Sequence, residues 1–264
     1  MATVPAQDED TRLAIASEWT RVGGGFTVPA AEHPVDIEDL LLRSAIQAPA
    51  DYRLFFVAAS WLGVHYHLVD MRRLSRKLEE LEAHVSAVAG ALLSVANEIA
   101  HAPRLEAAAR HCRRLDEPRP RFERVAQNPV LHAQVRENSL PLFRRWGLWH
   151  DEISLKLGAI RPVKWILAHC PELRIRALVG VNLDAEVIEA LRHNPATVAS
   201  LACHTGATYS AIHEAVMRLT GRGLIEEAGT EGQRTLVLPE QVRLWLEMFP
   251  PPEPQRRLPE RGVA

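Results

Sequence analysis

Residues 197–229 read TVASLACHTGATYSAIHEAVMRLTGRGLIEEAG. Thr197 is a capping residue for a short helix, Val198 to Cys203, with Val198, Leu201 and Ala202 turned inward; Cys203 is expected in the core as well. His204-Thr205-Gly206 reads as a tight turn, and Gly206 suits a backbone position with positive φ. Thr208 or Ser210 opens a further helix that runs to Thr220. On it Ile212, Val216 and Leu219 fall at i, i+4 and i+7, so one face is buried. Gly221 and Gly223 end that helix. Leu224 to Glu227, a Gly-rich turn over 229–232 and Arg234 to Leu238 then read as a β-hairpin. Upstream, Asp184 is placed to cap a helix that carries Val187, Ile188 and Leu191 on its apolar side and stops at Asn194-Pro195.

Helix, short helix, glycine turn, helix, hairpin is an ordered pattern. The run resembles the winged helix-turn-helix of bacterial transcription regulators of the MarR and ArsR type. The matching positions are Leu201-Ala202, Gly206, Ile212, Val216, Leu219 and Gly223-Leu224-Ile225. The small Ala202 lets the two helices cross closely. The lead-in RIRALVGVNLDAEVIEAL, 174–191, is also similar to that of such regulators. The resemblance covers roughly a quarter of the chain, or a third with the lead-in. It implies that the third helix of the module enters the major groove of double-stranded DNA, its N-terminal residues nearest the base edges. Those residues are Thr208, Tyr209, Ser210 and His213. By the same analogy Arg218 and Arg222 reach phosphates, and Arg234 in the hairpin lies near the backbone or minor groove. Hydroxyls and imidazole can read bases, but the first turn offers no Arg, Asn or Gln for a bidentate contact.

Charge runs against a strong DNA reader. The 264 residues carry 31 Lys/Arg and 33 Asp/Glu, which excludes a uniformly basic nucleic-acid wrapper. Residues 181–249 hold 5 Lys/Arg against 9 Asp/Glu, with Glu214, Glu226, Glu227 and Glu231 inside the module. Phosphate neutralisation supplies much of DNA affinity, so the deficit matters. Residues 101–180, in contrast, hold 15 against 8. Two resolutions stay open. The basic stretch supplies the phosphate contacts, with Arg144, Arg145, Lys156, Arg161, Lys164, Arg174 and Arg176 as candidates. Alternatively the module is an adaptor or assembly surface that contacts a protein partner.

The remainder is helical. Residues 1–35, with Gly23-Gly24-Gly25 and three prolines, read as tail and linker; no Lys-Ser/Thr follows the glycines as a phosphate loop requires. Asp36 caps Ile37 to Gln47, with Glu38 and Asp39 suited to the helix dipole, and Asp51 caps an almost wholly apolar helix, Tyr52 to about His67. Leu74, Leu78, Leu81, Val85, Val88, Leu92, Val95 and Ile99 step by fours and threes as a heptad seam on one long helix. The seam is either a dimer contact or internal packing; the flanking alanines favour internal packing in the Val85–Ile99 half, and the charged Arg72–Glu82 half stays open to a partner. Pro103 breaks it before a helix from Leu105 to Leu115.

These readings give a mainly α fold: a 36–115 helical domain for dimerisation or sensing, a 116–180 basic connector, a winged helix-turn-helix over 181–249 with one β-hairpin, and a 250–264 proline-rich tail. Cys112, Cys170 and Cys203 are odd in number and far apart, which fits reduced thiols in a cytoplasm. The acidic N-terminus is no secretory signal, and no membrane span is expected. His111-Cys112, His169-Cys170 and Cys203-His204 lack the spacing of zinc ligands. His150-Asp151 is expected as an exposed pair, and Trp146 and Trp149 as core. No catalytic constellation, metal site or cofactor is legible. The expectation is therefore a non-enzymatic, homodimeric DNA-binding regulator, with the protein adaptor as the alternative.

Overall fold

In the computed structural model, residues 6–228 and 235–247 are described. The chain is mainly α, 65% helix and 5% strand. It divides into two compact units, residues 1–163 and 164–264. The division falls inside the 116–180 stretch, which is thus no separate connector.

Unit 1 begins with α1 (Ala6–Arg21). Ile15, Trp19 and Val22 are buried, so residues 6–35 are not a tail and linker. Trp19 Nε1 donates to Ser44 Oγ at 2.8 Å, and Trp61 Nε1 donates to the Val22 carbonyl at 2.8 Å. These bonds satisfy two buried indoles and tie α1 to α2 (Ile37–Gln47) and α3 (Tyr52–His65). Asp36 and Asp51 cap those two helices as their positions require, accepting from the Asp39 and Leu54 amides.

The heptad stretch is two helices, α4 (Met71–Glu79) and α5 (Ala83–Ala100). The three residues between them, Leu81 flanked by Glu80 and Glu82, interrupt the seam. Leu74, Leu78, Val88, Leu92 and Val95 are buried inside the single unit, which settles the seam as internal packing. Small residues on α5 let helices approach: a Cβ on Gly90 would lie 2.6 Å from the Trp146 ring. By length and composition α5 could cross a membrane, yet its central residues are buried against the rest of the unit.

Shorter elements complete the unit: α6 (Pro103–Ala109), α7 (Glu123–Ala126), α8 (Pro129–Asn138) and α9 (Pro141–Arg144). The helix that begins at Pro103 thus stops well short of Leu115. Strand β1 (Arg119–Pro120) pairs in parallel with β2 (Leu148–Trp149). The ladder continues as the Arg121 amide donates to the Trp149 carbonyl at 3.1 Å. It brings Arg121 and His150 into the core. His150 is therefore not an exposed residue; it packs among Phe56, Phe122 and Phe143. Burial and the nearby Arg121 charge push its pKa down to about 3. The Arg121 guanidinium is sandwiched 3.3 Å from the Phe122 ring centroid and 3.8 Å from that of Phe55. None of the guanidinium nitrogens has a hydrogen-bond acceptor among the described residues.

Unit 2 runs from α10 (Val163–His169) through α11 (Pro171–Val179), α12 (Leu183–His193), α13 (Val198–Thr205) and α14 (Tyr209–Gly221). Strands β3 (Glu226–Ala228) and β4 (Thr235–Val237) form an antiparallel hairpin, and α15 (Glu240–Glu247) follows. Its core joins Val187, Ile188 and Leu191 of α12 to Leu201, Ile212, Leu219 and Leu236. The helical periods read from the sequence identify these inward residues directly.

Candidate functional site

The geometry of unit 2 centres on α14. Thr208 caps it by accepting from the Ala211 amide at 3.3 Å, and Thr197 caps α13 by accepting from Ser200 at 3.2 Å. Between them Gly206 adopts φ +67°, where a side chain is disfavoured. Ile212, Ala215, Val216 and Leu219 anchor the inner face of α14 in the core. The segment entering α13 is held to the hairpin by two backbone bonds. Ala196 N donates to Leu236 O at 3.2 Å, and Leu236 N donates to Ala196 O at 2.8 Å.

The outer face of α14 carries Tyr209, Ser210, His213, Glu214 and Met217, all exposed. Tyr209 and Met217 are 59% and 61% accessible, which is unusual for side chains this large. The Tyr209 and His213 rings are near-parallel, 6.5 Å apart. Thr208 is also exposed. The four side chains expected at the base edges are thus all exposed, although the Thr208 hydroxyl is engaged as the cap.

The expected phosphate contacts are less available. Asp184 is not the cap of α12; Asn182 is, accepting from the Asp184 amide at 3.0 Å. The Asp184 carboxylate is instead buried, where it accepts from Arg218 Nη2 at 2.7 Å and lies 3.5 Å from Arg222 Nη1. That pairing raises the Arg218 pKa. Two cations thus share one anion, and both guanidinium-bearing side chains stay about half exposed. The sequence carried a signal for this. Asp184 stands at i−3, i−4 and i−7 from Val187, Ile188 and Leu191, on the apolar stripe of its own helix.

Arg174 must be removed from the phosphate candidates. Its side chain is buried and donates to the carbonyls of Leu167 (2.6 Å), Leu246 (2.7 Å) and Ala168 (3.1 Å). It terminates α10 and α15 by satisfying their last carbonyls. Lys164 is exposed and Arg176 half-buried. Arg144 and Arg145 belong to unit 1, where Arg144 donates to the Glu137 carbonyl at 2.8 Å and Arg145 lies over the Trp146 ring. In unit 1 also, Lys156 donates to Ser154 Oγ at 2.8 Å, and Arg161 is half-buried with its carbonyl bonded to the His65 ring. Arg234, Glu231 and the proline-rich tail lie outside the described residues.

Cysteine and histidine do not assemble a metal site among the described residues. Cys203 is exposed rather than core, because it falls on the outer side of α13. Cys170 is buried, and burial pushes the Cys112 thiol up to about 12, so that thiol is un-ionised at neutral pH. Comparison with known proteins found no matching family model, no matching curated protein and no matching solved structure.

Proposed function

We propose that unit 2 is a winged helix-turn-helix module that seats α14 in the major groove of double-stranded DNA. The observation that carries the reading is the Ala196–Leu236 pairing. It adds a third short strand segment to the hairpin, so helix, strand, helix, helix and two-stranded wing follow in the order of that module. Thr208, Tyr209, Ser210 and His213 then meet base edges. Arg218 and Arg222 contribute one net positive charge after Asp184 is counted, enough to position the helix and not to drive strong non-specific binding. The reading carries a homodimer with it, because two such helices about one helical turn apart would address paired half-sites. The heptad stretch does not supply that interface, since it is spent inside unit 1.

A second reading, a protein-contact surface, is favoured by one feature. The outer face of α14 pairs large apolar groups, Tyr209 and Met217, with Glu214, and β3 exposes Glu226 and Glu227. Aromatic and methionine side chains are enriched where proteins meet.

A mobility-shift titration of the full chain on genomic fragments at rising salt separates the two. DNA binding predicts a shift that weakens with salt by only one or two phosphate contacts' worth, and Tyr209→Ala and Ser210→Ala that change which fragments are retained. The absence of any shift at low salt, together with self-association or capture through α14, would favour the protein surface.

A further inference from the structure

Helix α4 sorts its cations by face. Arg73 and Lys77, one turn apart, point to α2: Arg73 pairs with Asp36 and with the buried Glu38 at 3.2 Å, and Lys77 with Asp39 at 2.5 Å. Arg72 and Arg76, also one turn apart, point away. They are exposed and have no carboxylate partner among the described residues. With Arg104 of α6 and Ser75 they line a groove of about 410 Å³ between α4 and α6, floored by Ala107 and Ala108. Arg104 is held over the Tyr66 ring at 5.5 Å, which fixes its guanidinium without neutralising it. Three arginines thus converge on one concavity while the other face of α4 is fully paired.

We propose that this α4–α6 groove binds the phosphate group of a small phosphorylated ligand. The chemistry is that of an oxyanion. Arginine offers a planar fork of donors that matches phosphate oxygens bidentately. Arg72 and Arg76 are separated by about 6 Å along the helix axis, and Arg104 faces them from α6. A volume of about 410 Å³ is within the range of small-molecule sites. Carboxylates limit the ligand's length. Glu79 lines the same groove, bonded to His111 Nδ1 at 2.6 Å, and exposed Glu80 and Glu82 follow it along the chain. A polyanion continuing along α4 would run into them, whereas a mono- or diphosphate would not. The alanine floor and Met71 leave apolar surface for the ligand's uncharged part. The proposal stands apart from the reading of α14, because none of its residues lies in unit 2.

The test is calorimetric titration of the full chain with inorganic phosphate, pyrophosphate, a nucleoside diphosphate and a 20-base-pair duplex. Saturable binding of pyrophosphate or the nucleoside diphosphate is expected. The double variant R72A/R76A should weaken it at least tenfold, and Arg104→Ala likewise. Arg114→Ala, an exposed arginine outside the groove, should leave it unchanged. These side chains are exposed, so an unchanged melting temperature without ligand verifies that the variants fold. No saturable binding, or binding indifferent to R72A/R76A, overturns the site. Duplex binding that alone depends on Arg72 and Arg76 overturns the small ligand in favour of a nucleic-acid backbone.

Discussion

The two units dispose of their arginines in opposite ways. In unit 2 they are consumed by the fold: Arg174 closes two helix ends through three carbonyls, and Arg218 and Arg222 share the buried Asp184. The exposed face of α14 is left with hydroxyls, an imidazole, a carboxylate and two large apolar side chains. In unit 1 Arg73 and Lys77 pair with carboxylates of α2, Arg72, Arg76 and Arg104, with no carboxylate partner among the described residues, converge on the α4–α6 groove, and Arg121 is buried between aromatic rings. A charge count along the chain does not reveal this. The basic 101–180 stretch contributes Arg104 to the groove, spends Arg174 on carbonyls and sinks Arg121 into a core. Cation availability is a property of packing, not of a charge count along the chain.

Four measurements test that contrast. The largest effect concerns the imidazoles of unit 1, His150 above all, which is 3% exposed. The pKa of His150 is lowered to about 3, and those of the buried His65 and the half-buried His84 are lowered too, chiefly by burial. Below pH 6.5 the unfolded chain takes up protons that the folded one refuses, so stability falls as pH drops from 6.5 towards 3. His150 alone should account for a loss on the order of 2–4 kcal/mol over that window. Denaturant melts at pH 7, 5 and 4 check it, and His150→Phe should flatten the profile.

Next in size is packing. Gly90→Ala drives a methyl into the Trp146 ring and should destabilise unit 1 by about 1–3 kcal/mol. Gly221→Ala in unit 2 meets open space at the end of a helix and should raise stability by about 0.4–1 kcal/mol. Equal effects at the two sites would erase the difference in packing.

Releasing the captive arginines comes third. Asp184→Asn removes the carboxylate they share and should cost about 1–2 kcal/mol, less than breaking a wholly buried pair because both guanidinium groups reach solvent. On the proposed DNA reading of α14, the same variant should steepen the salt dependence of duplex binding by about one phosphate contact. Unchanged salt dependence would show that Arg218 and Arg222 do not face the backbone.

The smallest expected change is at Arg121. It is buried with no acceptor among the described residues, so Arg121→Met keeps the packing and removes an unpaired charge. Stability should stay within about 1 kcal/mol of the parent or rise. A loss of several kcal/mol would mean that the stacked cation itself holds Phe55 and Phe122 together.

Much of the architecture was legible in residues. Asp36, Asp51, Thr197 and Thr208 each precede an apolar period and each caps a helix; the core of unit 2 follows the spacing of its apolar residues. The departures share a physical cause, long-range partnership. Glu80–Glu82 continue a perfect heptad count, yet the helix stops there because α4 and α5 pack in different places. Trp19 looks like part of a loop-rich tail until Ser44 gives its indole an acceptor. Asp184 has the chemistry of a cap and is used as a buried counter-ion. His150 sits beside a strand whose two residues alternate inward and outward, too short a run to announce itself. The exposed side chains of α14 follow from helical phase alone, whereas the α4–α6 groove needs two helices from separate stretches of sequence.

The proposed role of α14 as a DNA-reading surface has a direct test. Selection of the full-length chain on a random duplex library, followed by sequencing, addresses it directly, with Tyr209→Ala/Ser210→Ala run in parallel. The expected result is an enriched motif with two half-sites about one helical turn apart for the parent, and a shifted or degenerate motif for the variant at equal folded stability. No enrichment by the parent, or the same motif from both proteins, contradicts the assignment.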